Sequence, residues 1–79
     1  MSLDENIFNL IQDMEQMFNI LILSYEDEKD ANYIYVKIWQ RDGDKLLKSF
    51  YNSKINAYNM LLGIKFGIQA TLNDDISFE

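Results

Sequence analysis

YIYVKIWQRDGDKLLKSFY, residues Tyr33–Tyr51, decides the fold. Two runs of β-branched and aromatic residues flank Asp42-Gly43, the kind of pair that a two-residue type I′ hairpin turn selects because both central positions need positive φ. Such a turn sets an expected register: Arg41 opposite Asp44, Trp39 opposite Leu46, Ile38 opposite Leu47, Lys37 opposite Lys48, Tyr35 opposite Phe50 and Ile34 opposite Tyr51. Side chains alternate across a strand. One face of the hairpin then carries Ile34, Val36, Ile38, Leu47 and Tyr51 as a core face, and the other carries Tyr35, Trp39, Leu46 and Phe50 around Lys37 and Lys48.

Upstream, Ile20-Leu-Ile-Leu-Ser-Tyr25 is a short apolar run ended by Glu26-Asp27-Glu28-Lys29-Asp30, which predicts a central strand buried on both faces, the other reading being a first helix that runs on through Leu23. Before it, Leu3, Ile7, Leu10, Ile11, Met14, Met17 and Phe18 form one stripe at helical spacing, with Ser2 or Asp4 as cap and Asp4 and Glu5 in the first turn. Downstream, Asn52 or Ser53 caps a second helix with Ile55, Ala57, Tyr58, Leu61 and Leu62 on its apolar arc, and Gly63 suits the position that ends it. Residues 64–72 alternate Ile64, Phe66, Ile68, Ala70 and Leu72 with Lys65, Gly67, Gln69 and Thr71, which favours a strand or a second, broken element. The other reading, a helix extension, places two glycines inside a helix at about 1 kcal/mol each relative to alanine. The expected architecture is one α+β domain over residues 1–72, α-β-β-β-α with an antiparallel meander and 64–72 as an added strand or helix extension. Residues 73–79 are expected to form an acidic C-terminal tail.

Seventy-nine residues leave room for one small core, and 48% apolar with 14% aromatic residues is too much for a disordered acidic segment. The chain has neither cysteine nor histidine. Disulfides and thiolate zinc sites are thereby excluded, as are the imidazole base of serine and cysteine hydrolases and the nitrogen ligands of zinc enzymes. No enzyme class is suggested and no cofactor is implied. Glu26-Asp27-Glu28-Lys29-Asp30 lacks the alternating ligand spacing, central glycine and final glutamate of an EF-hand loop, so it reads as a solvated loop. Asp42 and Asp44 are turn residues. The longest apolar run, Ile20 to Leu23, is far short of a membrane span, and no basic segment opens the chain, so the expected location is cytoplasmic, or the host cell interior for a phage-encoded protein.

Charge is segregated along the chain. Residues 1–28 hold seven carboxylates and no cation, residues 29–65 hold all seven cations, and the rest is acidic; the three segments carry −7, +4 and −3, for a net −6. The helix-meander-helix order, Tyr33-Ile-Tyr-Val-Lys-Ile-Trp39, the Asp-Gly turn and Ser53-Lys54 at the last helix together resemble the double-stranded-RNA-binding domain. In that family a lysine cluster opening the last helix contacts phosphates across a groove. Here Lys54 is followed by Ile55, Asn56 and Ala57, and the first helix is acidic, so the resemblance implies the fold and not RNA binding.

In size, charge and element order the chain is also similar to small acidic phage-type inhibitors, including DNA mimics and anti-CRISPR proteins. That resemblance implies binding to a basic nucleic-acid-binding protein or nuclease, with Asp4, Glu5, Asp13, Glu15, Glu26, Asp27, Glu28, Asp74 and Asp75 standing in for phosphates. A solvated acidic face serving solubility is the simpler expectation for the same residues. The sheet face with Tyr35, Trp39 and Phe50 is the alternative interface, for a protein partner or a homodimer, and base stacking between Lys37 and Lys48 is a third use of it. A helix or the 64–72 segment covering that face would make it plain core.

Overall fold

The computed structural model describes residues 2–43 and 45–77, with side chains through Thr71. The elements follow in the order α1 (Leu3–Met17), β1 (Ile20–Glu26), β2 (Tyr33–Gln40), β3 (Leu46–Ser53) and α2 (Lys54–Ser77). The strands form one antiparallel sheet in the order β1-β2-β3. The α-β-β-β-α architecture expected from the sequence is the one observed.

α1 starts at Ser2, whose hydroxyl oxygen caps the helix by accepting the Glu5 N–H at 3.2 Å and whose hydroxyl donates to the Glu5 carboxylate at 3.2 Å. It ends without glycine: Phe18 turns to extended backbone and its N–H closes the last turn on the Met14 carbonyl at 2.9 Å. α1 buries Ile7, Leu10, Ile11 and Met14. These meet Ile20, Ile34, Val36 and Ile38 from the sheet and Ala57 and Leu61 from α2 in a single core. Both helices therefore lie on one face of the sheet.

In β2 the inner positions Ile34, Val36 and Ile38 are buried, while Tyr33 and Tyr35 are exposed and Lys37 and Trp39 are half-buried. In β1, Ile20 is buried, whereas Leu21 and Leu23 are about half exposed at 46% and 53%. β1 is thus an edge strand with one open face, not the central, doubly buried strand expected. Its branched residues face the helices and its leucines face out.

The hairpin departs from expectation in a way that moves the site. Gly43 does not adopt left-handed backbone, and Gln40 and Lys45 close the loop through an N–H to carbonyl bond of 2.8 Å, so the connection is wider than a two-residue turn. The cause lies outside the hairpin. The Arg41 N–H donates to the Asn19 carbonyl at 3.1 Å, its guanidinium donates to the Glu15 and Ile20 carbonyls at 3.1 and 3.0 Å, and Asn19 hydrogen-bonds Asp42. These ties hold Arg41 and Asp42 against the α1–β1 junction. Trp39 still pairs with Leu46, but the register slips there, leaving Leu47 as a bulge residue, and Ile38 pairs with Lys48, Val36 with Phe50, Tyr35 with Tyr51 and Ile34 with Asn52. A one-residue slip exchanges the faces of everything beyond it. Phe50 consequently packs toward the core and Tyr51 turns outward, the reverse of the expected placement.

Ser53 caps α2, its hydroxyl accepting the Asn56 N–H at 3.3 Å. The helix runs through Gly63 and the whole of 64–72 to Ser77, so that segment is not a strand, Gly63 is not a terminus, and residues 73–77 continue the helix. Once a capped nucleus exists each further residue adds a hydrogen bond at little cost, and two glycines are too weak a penalty to stop it. Among the described residues no helix is long and apolar enough to cross a membrane.

Candidate partner-binding site

With both helices on one side, no element among the described residues covers the other face of the sheet. It carries Leu21, Leu23 and Tyr25 from β1, Tyr33, Tyr35, Lys37 and Trp39 from β2, and Ser49 and Tyr51 from β3. The four tyrosines and two leucines are each 37–53% exposed, and Trp39 is half-buried. The tyrosines form a continuous ladder across the three strands. Ring centroids lie 5.0 Å apart for Tyr25 and Tyr35, 4.5 Å for Tyr35 and Tyr51, and 5.5 Å for Tyr33 and Tyr51. Cross-strand aromatic pairs stiffen a sheet surface while leaving ring area for a partner.

The acid-rich β1–β2 loop borders the ladder. A cleft there is lined by Tyr25, Glu26, Asp27, Glu28, Lys29 and Tyr35. The Tyr51 hydroxyl donates to the Asp27 carboxylate, whose other oxygen accepts the Lys29 N–H at 3.1 Å. The Tyr51 bond first, and the Lys29 N–H second, hold the Asp27 carboxyl below the usual carboxylate range. The same bond, helped by burial and the nearby negative charge, pushes the Tyr51 hydroxyl up to about 12. Asp27 is therefore a fixed, ionised group at the rim of the aromatic face.

Lys54 sits where α2 begins, beside the first turn of α1. Its ammonium is 2.8 Å from Asp4 and 3.4 Å from Glu26, and its side chain is only 14% exposed. The Asp4 hydrogen bond holds it above the ordinary lysine range. The lysine that opens α2 is thus neutralised by two carboxylates.

Of the nine carboxylates expected to mimic phosphate, the fold gathers Asp4, Glu26, Asp27 and Glu28 around one end of the sheet, while the Glu5 carboxylate is taken by the Ser2 cap. It does not bring Asp13 or Glu15 there. Asp13 lies nine residues further along α1, about 13 Å by helical rise, and Glu15 accepts the Ile22 N–H at 2.9 Å, sealing part of the β1 edge. The side chains of Asp74 and Asp75 lie outside the described residues. Among the described residues, Asp13 and Glu28 have no hydrogen-bond or ion-pair partner, and no group of three or more carboxylates is arranged to hold a metal ion. Of the alternative interface, Tyr35 and Trp39 lie on the open face and Phe50 on the opposite one.

Sequence reasoning missed Tyr25, Tyr33 and Tyr51 as one surface. The signal was present in Tyr33 and Tyr35 at strand spacing, and in Leu21, Leu23 and Tyr25 alternating with the isoleucines of β1. Comparison with family models, with curated proteins and with solved structures found no match.

Proposed function

We propose that this chain acts by binding another protein, as an inhibitor or regulator that occupies a basic site of a nucleic-acid-handling protein. The open aromatic face supplies contact area and the carboxylates at its end stand in for phosphates. The observation that carries the proposal is the juxtaposition itself: a bare tyrosine and leucine face that ends in Glu26, Asp27 and Glu28. Large exposed aromatic faces are the usual anchors of protein interfaces, and a basic site designed for phosphates favours an acidic occupant. No catalytic step belongs to this proposal.

Capture of partners from a cell lysate, followed by competition with duplex DNA or RNA and a salt series, tests it. The expected partner is basic, is released as salt rises, and is displaced by nucleic acid. Neutral partners, or binding indifferent to salt, contradict it. Self-association through the same face is the second reading, favoured by the uncovered Leu21 and Leu23. Sedimentation separates the two, since a dimer dissociated by Leu23→Asp supports self-association and a monomeric wild type removes it.

A further inference from the structure

The cleft at the acid-rich end of the open face specifies what kind of partner side chain anchors there. Tyr25 and Tyr35 stack with 17° between their planes, and Glu26, Asp27 and Glu28 complete the wall beside them. We propose that this cleft seats an arginine of a protein partner, its guanidinium packed on the exposed tyrosine rings and paired with the Glu28 carboxylate. The proposal rests on the protein-docking function above and names the chemistry of its anchor.

Three observations favour that occupant. Aromatic surface beside carboxylate suits a planar guanidinium, which stacks and donates in a fork at once, better than a strongly hydrated ammonium. The carboxylates are graded in availability: Asp27 is spent on Tyr51 and the Lys29 N–H, Glu26 lies 3.4 Å from Lys54, and Glu28 is left to meet an incoming cation. The local charge of Glu26, Asp27, Glu28 and Lys29 favours a cation overall.

A second copy of this chain fits the face less well. Lys37 lies mid-strand between Leu23 and Ser49, so a two-fold axis through the middle of the face sets it against its own copy, between molecules of net charge −6. Strand addition at the sheet edges is hindered as well. Glu15 takes the Ile22 N–H and Arg41 takes the Ile20 carbonyl on β1. On β3, Lys48 lies on the helix side opposite buried Ile38 yet stays exposed, a charge that guards the edge.

Titration of the isotope-labelled full chain with an arginine octapeptide and a lysine octapeptide, followed by amide chemical shifts, tests the assignment. The arginine peptide is expected to bind about two- to fivefold more tightly, with shifts centred on residues 24–30 and Tyr35. Tyr25→Leu and Tyr35→Leu should each reduce that preference, and Glu28→Gln should weaken both peptides. Equal affinity for the two peptides, or shifts spread over Asp13 and the remaining carboxylates, overturns the arginine site. The two proposals fail separately: a captured partner lost on Leu23→Asp without any arginine preference sinks only the anchor, and an arginine preference with a partner indifferent to Leu23→Asp sinks only the docking function.

Discussion

Tyr51 and Asp27 hold each other in one protonation state apiece, and that bond joins β3 to the acidic loop at the edge of the site. Tyr51 donates only while protonated, and its folded value of about 12 exceeds the ordinary 10.0, so its contribution to stability is complete below pH 10 and is lost as pH rises through about 12. Asp27 behaves oppositely. Its carboxyl is held below 3.8, so the stability it contributes is present above that pH and fades as the pH falls through the lowered value. Ultraviolet titration of tyrosinate should find one of the five tyrosines ionising near pH 12, and Asp27→Asn should return it toward 10. A wild-type Tyr51 hydroxyl that ionises near 10 contradicts the bond. A second residue-scale prediction concerns Glu15: Glu15→Gln keeps an acceptor for the Ile22 N–H, whereas Glu15→Ala should cost about 1 kcal/mol in denaturant unfolding. Equal loss in both variants means that charge, not the hydrogen bond, matters there.

At the scale of elements, α1 and the inner face of β2 were legible because each carries one unambiguous period: Ile7, Leu10, Ile11 and Met14 at helical spacing, and Ile34, Val36 and Ile38 at strand spacing. What escaped was decided by long-range ties or by weak local signals. The slip at Trp39 follows from Arg41 and Asp42 bonding α1 and β1, a contact across more than twenty residues that no local pattern encodes. It alone moved Phe50 inward and Tyr51 outward. In 64–72 the alternation of apolar residues imitated a strand while Ala57, Leu61 and Ile64 continued a helical spacing into it. Gly63 and Gly67 are open, with nothing within 4 Å of where a Cβ would sit. Gly63→Ala and Gly67→Ala should therefore each stabilise the helix by up to about 1 kcal/mol, read as a higher midpoint in thermal unfolding and a stronger helical signal. A loss of stability instead means that something packs closely on those glycines. Leu61, fully buried between α2 and the sheet, should lose about 2–5 kcal/mol on Leu61→Ala, a large share of the roughly 4–12 kcal/mol expected for a domain this size.

As a whole the molecule is a thin plate with one helical side. Its extents are 50 × 29 × 17 Å, and its radius of gyration of 13.6 Å exceeds the roughly 11.6 Å of a compact chain of equal length. The excess fits α2, which at about 36 Å outruns strands of about 26 Å. Among the described residues the thin dimension holds two layers, helices and sheet, and the sheet keeps one face in water. The acidic half of the candidate site was visible in the sequence as the −7 of residues 1–28. The aromatic half was not, because it takes the pairing of three strands to collect four tyrosines. Affinity for a captured basic partner, compared between wild type, Leu23→Asp and Asp13→Asn across a salt series, tests the joint use of both halves most directly. Leu23→Asp is expected to weaken binding about tenfold or more, Asp13→Asn to leave it unchanged, and wild-type affinity to fall with salt. Wild-type affinity in Leu23→Asp, or binding indifferent to salt, contradicts the open face and its acidic end as the docking surface.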